Sequence, residues 1–176
     1  MEGGELPDAD RLREAFVTGA TRSFDQDPRF GIIVLSEVGQ RALSPAVNDP
    51  GTAIAVMNAM TRVLLDVQPE SDDTAPPDYD WLTLVGLDET DFVQQGFDPL
   101  ARDGAGIFEV LIRMQKLLAT IAEQGGGALA TAAHEQAATA LQWADQGLTL
   151  EQHKRAVRTL FETLHQNSGA GAIASQ

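Results

Sequence analysis

The chain of 176 residues carries 12 Lys and Arg against 26 Asp and Glu, a formal net charge of −14, and contains no cysteine. So acidic a surface repels phosphate, which argues against nucleic acid as a partner and against direct binding to anionic lipid headgroups. The absent thiols exclude a disulfide framework, a thiolate nucleophile and cysteine-based metal sites. At 18.8 kDa the chain is long enough to bury one core without staples, so a single domain is expected. The longest apolar run, Phe30 to Leu35, falls far short of the ~20 residues that cross a bilayer, and no signal peptide precedes it. As given, the chain reads as soluble.

Taken in order, the pattern predicts an all-α bundle of about seven helices, with at most one short strand or hairpin near 81–85. Asp8 and Asp10 offer caps for a first helix bearing Leu12, Ala15, Phe16 and Ala20 on one side. Asp27-Pro28 is a helix-start signal, because the carboxylate accepts free first-turn amides and Pro sits where no hydrogen bond is needed. The helix it opens, 28–43, is apolar nearly all round in its first half and is expected to be buried there. Its second half gathers Ser36, Glu37, Gln40 and Arg41, with Glu37 and Arg41 at i,i+4 spacing.

Asp49-Pro50 repeats the start signal for a thin helix to about Val67, with Ile54, Met57, Met60, Val63 and Leu64 toward the core and Asn58, Arg62 and Asp66 away from it. The acidic, Pro-rich stretch 68–80 reads as a loop inside the domain. Trp81 to Val85 is the one strand-like run: an extended segment, a dimer-edge strand, or half of a hairpin whose other half lies elsewhere. Asp88 caps a short helix carrying Phe92, Val93 and Phe97, which Pro99 is expected to end or kink, leaving Asp98 to cap the next segment.

A long amphipathic helix runs from about Ile107 to Gln124, with Ile107, Leu111, Met114, Leu118 and Ile121 as its stripe, and Gly125-Gly126-Gly127 stops it. The Ala-rich segment 128–145 is helical by propensity. Thr149-Leu150-Glu151-Gln152 forms a capping-box pattern opening a last helix with Ala156, Val157, Leu160, Phe161 and Leu164 inward. The domain is thus expected over 1–167, and 168–176 as a small-residue tail.

Chemistry-bearing patterns are few. His134, His153 and His165 have no partner at helical spacing and read as solvated or satisfied side chains. No EF-hand order, phosphate loop or nucleophile elbow is present, so no metal, cofactor or catalytic residue is assigned. One run remains, Arg41 to Ala53, which places Arg41, Ser44, Asn48 and Asp49 around a tight interhelix turn at a helix start. A small anion or polar ligand is its functional reading, with Asp27 or Asp49 as base and Arg41 as anion clamp in the enzymatic version. The competing and preferred reading is a turn that Asp49 caps, Pro45 and Pro50 stiffen, Asn48 knits and Arg41 secures by pairing with Glu37 or Asp49.

These same residues carry a resemblance. The run Phe24-Asp25-Gln26-Asp27-Pro28-Arg29-Phe30-Gly31-Ile32 and the later run Arg41-Ala42-Leu43-Ser44-Pro45-Ala46-Val47-Asn48-Asp49-Pro50-Gly51-Thr52-Ala53 resemble the bacterial predicted membrane proteins of domain of unknown function 2254. Weaker likeness extends to Leu12 through Gly19 and to Gly96 through Leu100. The resemblance implies N-terminal transmembrane helices upstream of a soluble region, no assigned activity and no catalytic residues to carry over. It makes this chain the soluble part of a membrane-anchored protein of the bacterial inner membrane, with Met1 not the natural start. The module is then expected on the cytoplasmic side, as a homodimer working in assembly or small-ligand sensing beside its own transmembrane region. An enzyme or anion site on the Arg41–Asp49 turn is the rival.

Overall fold

The computed structural model describes residues 27–66 and 88–165, which form six α-helices and no strand. They are α1 (Pro28–Leu43), α2 (Pro50–Asp66), α3 (Glu89–Asp103), α4 (Phe108–Gln124), α5 (Gly127–Gly147) and α6 (Glu151–His165). The all-α class is as expected. The helix expected over 8–20, the acidic loop, the strand-like run 81–85 and the tail lie outside the described residues, so six helices stand here against about seven expected.

Side-chain contacts fix the direction of each helix. Arg29 pairs with Asp91 at 2.8 Å, Ser36 Oγ donates to the Gly96 carbonyl at 3.0 Å, and Arg102 reaches Gln40. The last two pairs are 60 and 62 residues apart, so α1 and α3 run parallel and in register along their length. Trp143 Nε1–H donates to the Asp98 carboxylate at 3.1 Å and Gly147 lies against Ala105 further on, so α5 runs parallel to α3. Gln115 Nε2–H donates to the Ala137 carbonyl at 2.9 Å across the α4–α5 hairpin. Successive helices alternate in direction.

Five of the helices close a ring: α1 packs on α2, α2 on α4, α4 on α5, α5 on α3 and α3 back on α1. The core fills its middle, with Met57, Met60, Phe97, Leu100, Met114, Leu118 and Ile121 inaccessible to solvent. Unbranched methionines from α2 and α4 suit a centre where five helices leave an irregular gap. Outside this ring, α6 packs mainly on α4 and α5 among the described helices, over a second small apolar cluster of Leu111, Ala144, Leu148 and Val157.

Several local expectations are corrected. Pro99 does not end its helix: α3 runs unbroken through it, because a single missing amide is outweighed by the burial of Val93, Phe97, Leu100 and Ala101. Asp98 consequently caps nothing and instead accepts from Trp143. In α1 only Ile32 of the early apolar run is buried; Ile33, Val34 and Leu35 are half-buried, since α1 sits on the outer wall of the ring. Val63, expected in the core, is exposed, and Asn58, expected to face away, is half-buried against Arg113. The capping box at Thr149 does not form; the Leu150 carbonyl takes the amides of His153 and Lys154 at the start of α6.

The α3–α4 turn presses directly on the end of α5 at Gly147. A Cβ at Gly147 would lie 2.5 Å from the Ala105 carbonyl oxygen and 2.6 Å from the Ala105 Cβ, and backbone cannot swing aside as a side-chain tip can. Gly147→Ala should therefore destabilise the fold by about 1–3 kcal/mol through overpacking, measured by urea unfolding. The same change at Gly106, whose Cβ would meet its nearest neighbour at an ordinary 3.6 Å, should cost less.

Candidate functional site

The interhelix turn 44–49 is built from its own backbone. The Arg41 carbonyl receives the Ser44 amide at 3.2 Å and the Ser44 hydroxyl at 2.7 Å. The Ser44 carbonyl receives the amides of Val47 and Asn48, and the Ala42 carbonyl receives that of Asp49 at 2.8 Å. Closing the chain this tightly requires a left-handed residue, and Asn48 supplies it at φ 47°, the one non-glycine with positive φ among the described residues. Asn is among the few side-chain-bearing residues that adopt this conformation readily.

Asp49 then starts α2. Its carboxylate accepts the Thr52 amide at 3.0 Å and the Thr52 hydroxyl at 2.6 Å. These bonds, the hydroxyl first and the amide next, hold the carboxyl below its ordinary value of 3.8. Both carboxylate oxygens are thereby engaged within the first turn of the helix.

Arg41, Ser44, Asn48 and Asp49 are thus brought together at one end of the α1–α2 hairpin, and all but Ser44 are exposed there. Arg41 makes no ion pair with Glu37 or Asp49; its positive charge stands in the last turn of α1, where it favours the helix dipole. Asp27 stands elsewhere. It caps the opposite end of α1, accepting the Phe30 amide at 3.1 Å, roughly 24 Å along the axis at 1.5 Å per residue. A single site holding both Asp27 and Arg41 is not assembled by this fold.

Two polar constellations escaped sequence reading. Arg113 of α4 donates to Asn58 Oδ1 of α2, while Asn58 Nδ2–H donates to the Ile54 carbonyl, a bridge that ties the second helix to the fourth. His134 of α5 and His165 of α6 face each other through Nδ1 at 3.2 Å, and His165 Nε2 lies 3.2 Å from the Gln115 carbonyl. The spacing of 31 residues between the two histidines carries no helical period; only folding α5 and α6 into a hairpin would have matched them. Among the described residues no three or more His, Asp or Glu side chains converge as a metal site would require. Nor, among them, is any helix long and apolar enough to cross a membrane.

The sequence model of the family described as Predicted membrane protein (DUF2254) matches residues 2–120, which takes in α1, α2, α3 and most of α4. Among curated proteins, an uncharacterized protein of Mycobacterium bovis and its counterparts in two strains of Mycobacterium tuberculosis are each 47% identical over 45 residues. The matched stretch takes in 26% of this chain and only 9% of each relative. No solved structure matches the chain.

Replacing Asp49 with Ala removes both bonds to Thr52 and should lower the melting temperature by a few degrees. Because the folded carboxyl is held below its ordinary value, its contribution is complete above pH 3.8 and is lost as pH falls through the lowered folded value. Wild type and Asp49→Ala should therefore differ most at neutral pH and converge in strong acid, as followed by circular dichroism melts. An unchanged or raised melting temperature at pH 7 would identify instead a residue kept for binding at the expense of stability.

Proposed function

This chain belongs to the DUF2254 family of predicted membrane proteins, and we propose that it is a soluble module which works by assembly rather than catalysis. The observation that carries this reading is the state of the turn. Its hydroxyl, its carboxylate and its backbone amides are spent on closing the α1–α2 hairpin, so the side chains of Ser44 and Asp49 already have intramolecular partners. Catalysis by Asp49 would need a proton acceptor near neutral pH, and this carboxyl is displaced in the opposite direction.

The same hairpin bears exposed valines on each of its parts: Val38 on α1, Val47 in the turn and Val63 on α2. Exposed β-branched side chains on one helical pair fit a contact surface, and a two-fold dimer is the commonest assembly such a surface builds. In this reading the module dimerises beside the membrane-embedded part of its parent, on the cytoplasmic side. Small-ligand sensing would have to act through that assembly, since the Ser44 hydroxyl and the Asp49 carboxylate are engaged by their own chain.

Light scattering coupled to size exclusion at tens of micromolar should give twice the chain mass, and Val38→Asp with Val63→Asp should return it to the monomer mass without loss of helical circular dichroism. A monomer mass for the wild-type chain would contradict the assembly role.

A further inference from the structure

The last helix is held differently from the other five. Val157 and His165 are its only buried residues, and among the described helices it packs mainly on α4 and α5. At its start, the His153 ring stacks on Phe108 with centroids 4.2 Å apart. In the middle, Arg158 bonds both oxygens of the exposed Asp145 carboxylate. At its far end, Phe161 packs on the main core and stacks on His165, whose ring bonds to α4 and α5 at once.

The hydrogen bonds of His165 fix where its proton sits. A carbonyl oxygen only accepts, so His165 Nε2 carries the hydrogen that the Gln115 carbonyl receives. In the neutral ring Nδ1 then holds a lone pair, and the 3.2 Å contact is completed by an Nδ1–H on His134. His134 is half-buried, and a proton on its Nε2 would leave both bonds intact. A second proton has no such place. It would put N–H against N–H and two positive charges on rings whose nitrogens lie 3.2 Å apart, at a residue that is 8% exposed.

We propose that the His134–His165 pair is an acid-labile latch: it holds the end of α6 on α4 and α5 until both imidazoles are charged, and then releases Phe161 and His165 from the bundle. The groups that face His165 are His134 from α5, the Gln115 carbonyl and the Glu123 carboxylate from α4, and the Phe161 ring from α6. Burial pushes His165 below its ordinary 6.5 and the charge of His134 pushes the same way, against the Gln115 carbonyl and Glu123. With the folded value depressed, the latch is complete above pH 6.5 and is lost as pH falls through the folded value. The His153 stack on Phe108 is not opened by the same event, since a charged imidazole over an aromatic face remains attractive. Release therefore begins at the C-terminal end of the helix and stops short of its start.

Hydrogen–deuterium exchange of the full chain at pH 7.5 and pH 5.0, each corrected for the intrinsic pH dependence of exchange, tests this directly. Amides of 160–165 should lose protection at pH 5.0, while α1, α2 and α3 keep theirs. His165→Phe should abolish the step. His134→Gln, at a half-buried position, keeps a donor for His165 Nδ1 but removes the charge that depresses the folded value, and should shrink the step. Equal protection at both pH values, a loss shared by all six helices, or a step of undiminished size in His134→Gln would each overturn the latch.

Discussion

The close approach of α1 to α3 is the constraint on which the rest of the bundle depends. It rests on two glycines, one from each helix. A Cβ at Gly39 would lie 2.7 Å from Leu100 Cδ2, and a Cβ at Gly96 would lie 3.0 Å from Ile32 Cγ2 and 3.3 Å from Met60 Sδ. Bare backbone at these positions lets Leu100 and Ile32 sink to near-zero exposure and lets Ser36 Oγ–H reach the Gly96 carbonyl. Burial of a hydroxyl is tolerable because that bond satisfies it. With α1 held parallel to α3, the ring closes only if α2 returns antiparallel along the outside, and the short turn at 44–49 has to accomplish the reversal.

That turn accounts for much of the residue pattern from Arg41 to Thr52. Asn48 gives the left-handed step, Asp49 the cap, and Ser44 a hydroxyl bonded back to the Arg41 carbonyl. Each residue type is dictated by reversing the chain in a few residues between two helices, with no ligand required. The matched residues 2–120 end within α4, yet the ring cannot close without α5, which Trp143 joins to Asp98 inside the matched region. The alanine face of α5, with Ala133, Ala137 and Ala140 inaccessible, is what allows it to lie so near α3 and α4.

Much of this was legible in the sequence, and the limits have physical causes. Helix starts at Asp27, Asp49 and Asp88 were readable because a cap is a local bond between a carboxylate and an amide two or three residues on. The stripe Met114, Leu118 and Ile121 was readable because one helix face meets one core. The passage of α3 through Pro99 was not, since burial on both sides overrode a local signal. Val63 misled because a helix on the wall of a ring buries a narrower arc than its apolar residues cover. The pairing of Arg113 with Asn58 and of His134 with His165 exists only once helices distant in sequence lie side by side. In the candidate site, the four turn residues were correctly neighbours by sequence alone, whereas Asp27 was grouped with them by chemistry and separated from them by the length of α1.

The central claim is that the 41–52 turn is closed by its own hydrogen bonds and serves the fold. Amide exchange measured residue by residue by NMR at neutral pH tests it most directly. Closure predicts that the amides of Asn48, Asp49 and Thr52 exchange as slowly as those in the interiors of α1 and α2, because all three donate within the turn. Exchange of these three amides near the rate of an unstructured chain, with α1 and α2 still protected, would contradict it.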